Sequence, residues 1–302
     1  MDYEIGKKIR DLRKYWHMTQ EELANGICTQ GLISKIEKNE EIHLSAQLLY
    51  QLSQRLGVSI EYFFSDAELP RMSYINDACA QMTALIRAKQ YEEAYQLVKK
   101  EKNNPSFEKR PHLKQFLLWR ESICVNYIEN NKEKALKLIN EALLLSETCE
   151  KNYSLRELDI LISKAIFFGE LEKWELAENL YGKILIYAEK IPYIKDQAIF
   201  IKLFYNSSRA SFILNKHSHA LNLCKKGIKM CMEVETYYLL GYLLYQKAEI
   251  LYAIEQTYSF EILDLYKRAL WVFEKSGDIS NYEIIFKKLN SLNLEHPERK
   301  QS

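Results

Sequence analysis

Few residue groupings in this chain have the spacing that catalysis or metal binding requires. The six histidines are scattered, and His217 and His219 flank a serine with no third ligand within a workable spacing, so no metal site is expected. The six cysteines (Cys28, Cys79, Cys124, Cys149, Cys224 and Cys231) include no CxxC pair, and in a reducing compartment they read as small buried hydrophobes. Neither a phosphate-cradling loop nor a nucleophile beside a base is present. The sequence therefore predicts a protein that is not an enzyme and needs no cofactor. What remains are amides, hydroxyls and cations. Gln30, Gly31, Ser34 and Lys35 are left facing outward on one short predicted helix, and further amides and cations recur at long intervals down the chain. An amide donates and accepts at once, which suits recognition rather than turnover.

The elements that must position these groups are helices. With 9 Gly and 5 Pro in 302 residues, and apolar residues recurring at three- and four-residue steps, the chain reads as all-α; no strand alternation is evident. Hydrophobic residues make up 47% of it, enough for real cores. No run approaches the roughly 18 apolar residues of a membrane span, and "MDYEIGKKIR" lacks the basic-then-apolar order of a signal peptide. A cytoplasmic protein without membrane contact is expected.

In residues 1–64, Ile5, Ile9, Leu12 and Trp16 form one apolar stripe, with Lys7, Lys8, Arg10 and Lys14 off it as a basic flank. Thr19 followed three residues later by Glu22 is a capping box that opens a second helix. Gly26 weakens that helix, Ile27-Cys28 make the bend, and Thr29 caps a third helix from Gln30 to about Lys38, which Asn39 ends in the left-handed conformation. Leu23, Ala24, Ile27, Ile33 and Ile36 face inward. A fourth helix (45–56) and a fifth (59–64) complete a five-helix domain.

"TQEELA…ISKIE" resembles the helix-turn-helix of phage-repressor type, with a turn one residue shorter than usual and Cys28 where the turn glycine commonly stands. The resemblance implies that the third helix enters the major groove of double-stranded DNA and that the second grips a phosphate with its N-terminus. It makes Gln30, Gly31, Ser34 and Lys35 the base-reading positions, with Gln30 suited to bidentate bonding of adenine, and Thr19, Gln20, Thr29 and Lys38 the phosphate contacts. Charge gives some support to the alternative, a five-helix module reused for protein contact. Eight Lys and Arg face nine acids in residues 1–64, so the partial positive charge of helix N-termini must carry part of the attraction.

The polar, proline-containing stretch "SDAELPRMS" marks a boundary. Behind it "QYEEAYQLV", "NKEKALKLI", "KWELAENLY", "KHSHALNLC" and "SFEILDLYKRAL" align on Ala94, Ala135, Ala177, Ala220 and Ile262, at intervals of 41, 42, 43 and 42 residues. Val98, Ile139, Tyr181, Cys224 and Tyr266 follow each anchor by four, and Ala142, Ile184, Gly227 and Ala269 follow the last four by seven. Turns are expected at Tyr91, Lys132, Trp174 and His217. This register resembles a degenerate tetratricopeptide repeat, which implies a right-handed superhelix whose concave wall is lined by the first helix of each pair. Outward-facing polar residues on those first helices would be Arg87, Lys89, Arg120, Glu121, Ser163, Lys164, Asn206, Arg209, Gln246 and Lys247, accompanied by Trp119, Tyr205, Tyr242 and Tyr245. Amides such as Asn206 and Gln246 suit a peptide backbone, and Arg87 or Lys89 a terminal carboxylate. A capping helix (279–292) and a frayed tail from "EHPERKQS" end the chain.

The order of the parts, together with "FLLWRE", "FYNSSRASFI" and "LLYQKAEIL", resembles the RNPP family of peptide-pheromone-responsive transcription regulators, particularly its PlcR-like members. That resemblance implies a helix-turn-helix domain (1–66), a linker and first repeat helix (67–88), and five repeats with a capping helix (89–302). It also implies a quorum-sensing homodimer on a palindromic operator, controlled by a short peptide held by Arg87, Lys89, Trp119, Arg120, Lys164, Tyr205, Asn206, Arg209, Tyr242 and Gln246. The alternative is a peptide-independent repressor whose repeats bind a protein partner.

Overall fold

Every regular element among the described residues is helical, with no strand. The computed structural model describes residues 5–39, 44–64, 69–146, 153–188, 190 and 197–295. The chain divides into two compact units, Met1–Ala84 and Leu85–Ser302.

In the first unit, α1 (Ile5–Tyr15), α2 (Gln20–Ala24), α3 (Gln30–Glu37), α4 (Ala46–Leu56) and a 3-10 turn (Ile60–Phe64) surround Ile9, Leu23, Ala24, Ile33, Ile36, Leu49, Leu52, Leu56 and Phe63. The capping box forms as its residues dictate. Thr19 Oγ1 accepts from the Glu22 N–H at 3.1 Å, and Glu22 Oε2 accepts from the Thr19 N–H at 2.6 Å. Gly26 (φ 70°) takes the left-handed turn between α2 and α3, so the glycine of this turn stands two residues ahead of Cys28. Thr29 caps α3 and Asn39 (φ 55°) closes it.

Two expectations are corrected here. The apolar stripe of α1 does not reach Trp16: the helix stops at Tyr15 because His17 turns left-handed (φ 55°), and Trp16 lies exposed with Nε1 donating to the Leu56 carbonyl at 3.1 Å. Lys8 does not belong to a basic flank. It is buried, and its Nζ donates to the Tyr62 and Phe63 carbonyls (3.0 and 2.8 Å), satisfying groups that a 3-10 turn leaves open. The fifth helix forms where it was expected, as that 3-10 turn.

α5 (Leu69–Arg87) begins inside the stretch read as a linker, with Pro70 in its first turn where no hydrogen bond is lost. The second unit continues with α6 (Tyr91–Lys102), the short α7 (Pro105–Glu108), α8 (Pro111–Ile128), α9 (Lys132–Leu144), α10 (Leu155–Glu170), α11 (Trp174–Ala188), α12 (Ala198–Ile213), α13 (His217–Glu233), α14 (Leu240–Glu255), α15 (Phe260–Ser276) and α16 (Ile279–Glu295). Consecutive helices from α8 onward pack in antiparallel succession, and α8, α10, α12 and α14 also touch one another in turn, which places them along one wall. α7 is an insertion that the repeat register did not foretell.

The repeat register itself is visible in the packing. Ala94, Ala135, Ala177, Ala220 and Ile262 are fully buried, as are Val98, Ile139, Cys224 and Tyr266 four residues on, with Tyr181 nearly so. α6, α9, α11 and α13 begin at Tyr91, Lys132, Trp174 and His217. Two residues before each, the backbone is left-handed at Lys89, Asn130, Glu172 and Asn215, so the turns repeat as faithfully as the core. The capping helix runs three residues past its expected end, and Lys288 on it is held by Glu249 of α14. The tail from residue 296 lies outside the described residues, as does Cys149. Cys124, Cys224 and Cys231 are buried and burial pushes their thiols up, whereas Cys28 and Cys79 are half-buried.

Candidate functional site

The outward end of α3 is built on a charged pair. Arg13 on α1 and Glu37 on α3 fall four residues beyond the buried Ile9 and Ile33, on the inward stripe of each helix. There they meet: Arg13 Nε and Nη2 donate to the two Glu37 oxygens at 2.6 and 2.9 Å, and Arg13 Nη1 donates to the Met18 carbonyl at 2.6 Å. Burial pushes the Glu37 carboxyl up, but the hydrogen bonds from Arg13 and Gln20 and the charge of Arg13 outweigh it and hold the group below its ordinary range.

Glu37 Oε2 also accepts from Gln20 Nε2 at 2.8 Å, and Gln20 Oε1 accepts from Gln30 Nε2 at 2.7 Å. A buried ion pair thus orients one amide, which orients a second at the exposed first residue of α3. Arg13 and Glu37 were missed in the sequence, although a charge on a core stripe signals a buried partner. Gly31 is exposed, and a Cβ there would meet nothing within 4 Å. Lys35 and Lys38 are exposed and Ser34 half-exposed. The Thr19 and Thr29 oxygens serve as helix caps, a use that leaves their hydroxyl hydrogens available to an acceptor outside. All eight residues therefore share the α2–α3 region, with Lys38 at its far end.

The residues read as a groove divide. Arg87, Lys89 and Arg209 are exposed, and Lys164, Tyr205, Asn206 and Tyr242 half-buried. Trp119, Arg120 and Gln246 are buried, which corrects their placement on an outward face; Glu121 and Ser163 are buried too. Trp119 Nε1 donates to Ser163 Oγ at 2.9 Å, and the Arg120 guanidinium lies 3.7 Å from the Trp119 ring centroid. Gln246 Nε2 is buried without a hydrogen-bond partner among the described residues. Asn206 Nδ2 donates back to the Lys202 carbonyl at 2.8 Å, and Lys247 pairs with Glu261 at 2.8 Å.

Across the wall, Tyr205 and Tyr242 meet edge to face at 5.7 Å, and Arg209 stands 5.6 Å from the Trp174 ring. Tyr127 stacks on Tyr91 at 4.4 Å and donates to Glu170, which also accepts from Asn126. Lys89 Nζ reaches the Tyr242 hydroxyl at 3.2 Å across 153 residues of sequence. Glu170 and Asp278 are acids of this wall that the sequence reading did not single out. Among the described residues no group of His, Cys, Asp and Glu could hold a metal ion, and no helix is long and apolar enough to cross a membrane.

A helix-turn-helix with an exposed amide-bearing helix, followed by stacked helix pairs, is an architecture suited to recognition. Residues 79–292 match the RNPP family C-terminal domain and residues 9–63 a helix-turn-helix domain; the chain belongs to the RNPP family. The comparison with curated proteins returned no match. Among solved structures, the chain is similar to Bacillus thuringiensis PlcR in complex with the peptide PapR7 and DNA, with a TM-score of 0.78 at 22% identity over 93% of this chain and 98% of that one. The apo form of PlcR gives a TM-score of 0.66 at 21% identity, covering 94% and 98% of the two chains. ComR from S. thermophilus, in complex with DNA and its signalling peptide ComS, gives 0.61 at 16% identity, covering 95% and 99%.

Proposed function

We propose that this chain is a cytoplasmic quorum-sensing regulator that binds a palindromic operator as a homodimer and is controlled by a short signalling peptide held against the inner wall of its repeats. The observation that carries the DNA half is the chain of bonds from Arg13 through Glu37 and Gln20 to Gln30, which fixes an amide at the exposed start of α3 where base edges would lie. Gln30, Gly31, Ser34 and Lys35 read bases in this account, and Thr19, Gln20, Thr29 and Lys38 contact phosphates. The peptide half is supported by family membership and by the mixed wall of Arg87, Lys89, Lys164, Tyr205, Asn206, Arg209 and Tyr242. Trp119, Arg120 and Gln246 support that wall from beneath, and Gln246 offers it an amide N–H. If a peptide binds one arrangement of the repeats better than another, its differential affinity shifts the DNA-binding heads between spacings.

The test pairs operator selection from random duplexes with sedimentation and a thermal-shift screen of short peptides on the full-length protein. A selected palindrome, a dimer and a stabilising peptide are expected. A selected site without symmetry would remove the dimer. DNA binding with no stabilising peptide would favour a regulator whose repeats bind a protein.

A further inference from the structure

The first repeat turn meets the end of the stack in a polar node. Lys89, in the left-handed turn after α5, donates to the Tyr242 hydroxyl at 3.2 Å and stands 3.8 Å from Asp278 Oδ2. Arg87 brings a second cation to the same mouth, 5.7 Å from the Tyr238 ring. We propose that Lys89 and Asp278 form a clasp that closes the mouth of the repeat arch, and that Asp278 holds the place a ligand carboxylate takes when the clasp opens. The exchange rests on the peptide-receptor reading above; the clasp does not.

The bonding at Asp278 shows why the clasp can open. Asp278 accepts from the Tyr242 hydroxyl at 2.5 Å and from Asn281 Nδ2 at 2.9 and 3.0 Å, and it caps α16 through the Asn281 N–H at 3.3 Å. Asn281 Nδ2 also reaches the Tyr242 oxygen at 3.0 Å. Losing Lys89 therefore leaves no oxygen of this carboxylate without a donor. Lys89, with 62% of its side chain exposed against 21% for Asp278, keeps water as its alternative partner. An ion pair so exposed shifts the balance between closed and open mouths by about a few-fold, enough to broaden the mouth distance when it is lost, and that suits a contact made to be exchanged. A carboxylate arriving on Lys89, with Arg87 beside it, replaces one anionic partner by another and leaves the Tyr242–Asp278–Asn281 bonds standing. It separates the turn after α5 from the start of α16, and so changes how far the arch is closed.

Spin labels at Ala88→Cys and Ser280→Cys, in the full-length chain with Cys28, Cys79 and Cys149 replaced by Ser, measure the mouth directly. Lys89→Gln and Asp278→Asn are expected to shift the label distance to longer and broader values, while Lys183→Gln, at an exposed lysine on α11, leaves it unchanged. In the otherwise unaltered labelled chain, a pool of random short peptides with free C-termini should give the same lengthening, and the pool with amidated C-termini should not. Unchanged distances in both variants overturn the clasp. Equal effects of the two pools, or stabilisation without lengthening, overturn the exchange. If neither pool raises the melting temperature, the peptide reading has failed and the exchange falls with it, while the variant distances still decide the clasp.

Discussion

Gln20 and Gln30 are bonded amide to amide at 2.7 Å, joining the first residue of α2 to the first residue of α3. The pair bridges the two helix starts to the buried ion pair beneath. An orienting contact of this kind makes the consequences of substitution directional, because damage at the bottom of the chain travels outward and damage at the top does not travel back.

Glu37→Gln removes the negative charge that neutralises Arg13, whose side chain is 12% exposed against 4% for Glu37. Breaking a buried pair on one side costs about 3–5 kcal/mol, so amides of α1 and α3 in the full-length protein should exchange faster with deuterium. The wild-type head should also be acid-sensitive. Its Glu37 carboxyl is held below the ordinary 4.5, so the stabilisation is present above that pH and is lost as pH falls through the folded value. Denaturant unfolding followed by head-amide exchange checks this; a variant with the same acid dependence as the wild type would remove Glu37 from the cause.

Gln30→Ala should leave stability unchanged and lose about 1–3 kcal/mol of discrimination at one base position in each half-site. Gln20→Ala should weaken the same discrimination less, since it only frees the Gln30 amide to rotate. Lys38→Ala should lower affinity for all sequences alike. Competition binding against operator variants separates these patterns, and an unchanged ranking with Gln30→Ala means another residue reads that base.

Two glycines of the head predict opposite results. A Cβ at Gly6 would lie 1.8 Å from the Ile36 carbonyl oxygen, at the crossing of α1 and α3, so Gly6→Ala should cost about 3 kcal/mol or more, the upper end of overpacking. At Gly31 a Cβ meets nothing, and Gly31→Ala should raise stability by up to about 1 kcal/mol. It should nonetheless weaken operator binding if this face meets DNA. Unchanged operator affinity would take Gly31 off the interface.

Gln246→Met replaces a buried amide by an apolar side chain of similar length. Because Nε2 has no partner among the described residues, relief of its desolvation, about 1–3 kcal/mol for an unmade bond, should raise the melting temperature of the ligand-free protein. Affinity for any stabilising peptide should fall together with it. Higher stability with full peptide affinity would make the amide a buried liability rather than a ligand contact.

From α2 to the end of α3 the caps and turns were legible almost to the residue, because such features are local. Thr19, Glu22, Thr29 and Asn39 act through neighbours three or four positions away, and their roles survive folding unchanged. What the local pattern could not show was Lys8, drawn in by carbonyls 54 and 55 residues away, or the meeting of Arg13 with Glu37.

In the repeats the sequence determined the period and the second helices, since each of those helices buries one stripe and its small anchor recurs at a fixed place. The first helices are packed from more than one side. On α8 the consecutive residues Trp119, Arg120 and Glu121 are all buried, although about 100° separates each from the next. No periodicity marks an outward face on a helix so enclosed, and only the stacking of α8, α10, α12 and α14 decided which polar residues line the wall. The meeting of Lys89 with Tyr242 and Asp278 likewise depends on how far the arch curls, a sum of small rotations between successive repeats that no single segment encodes.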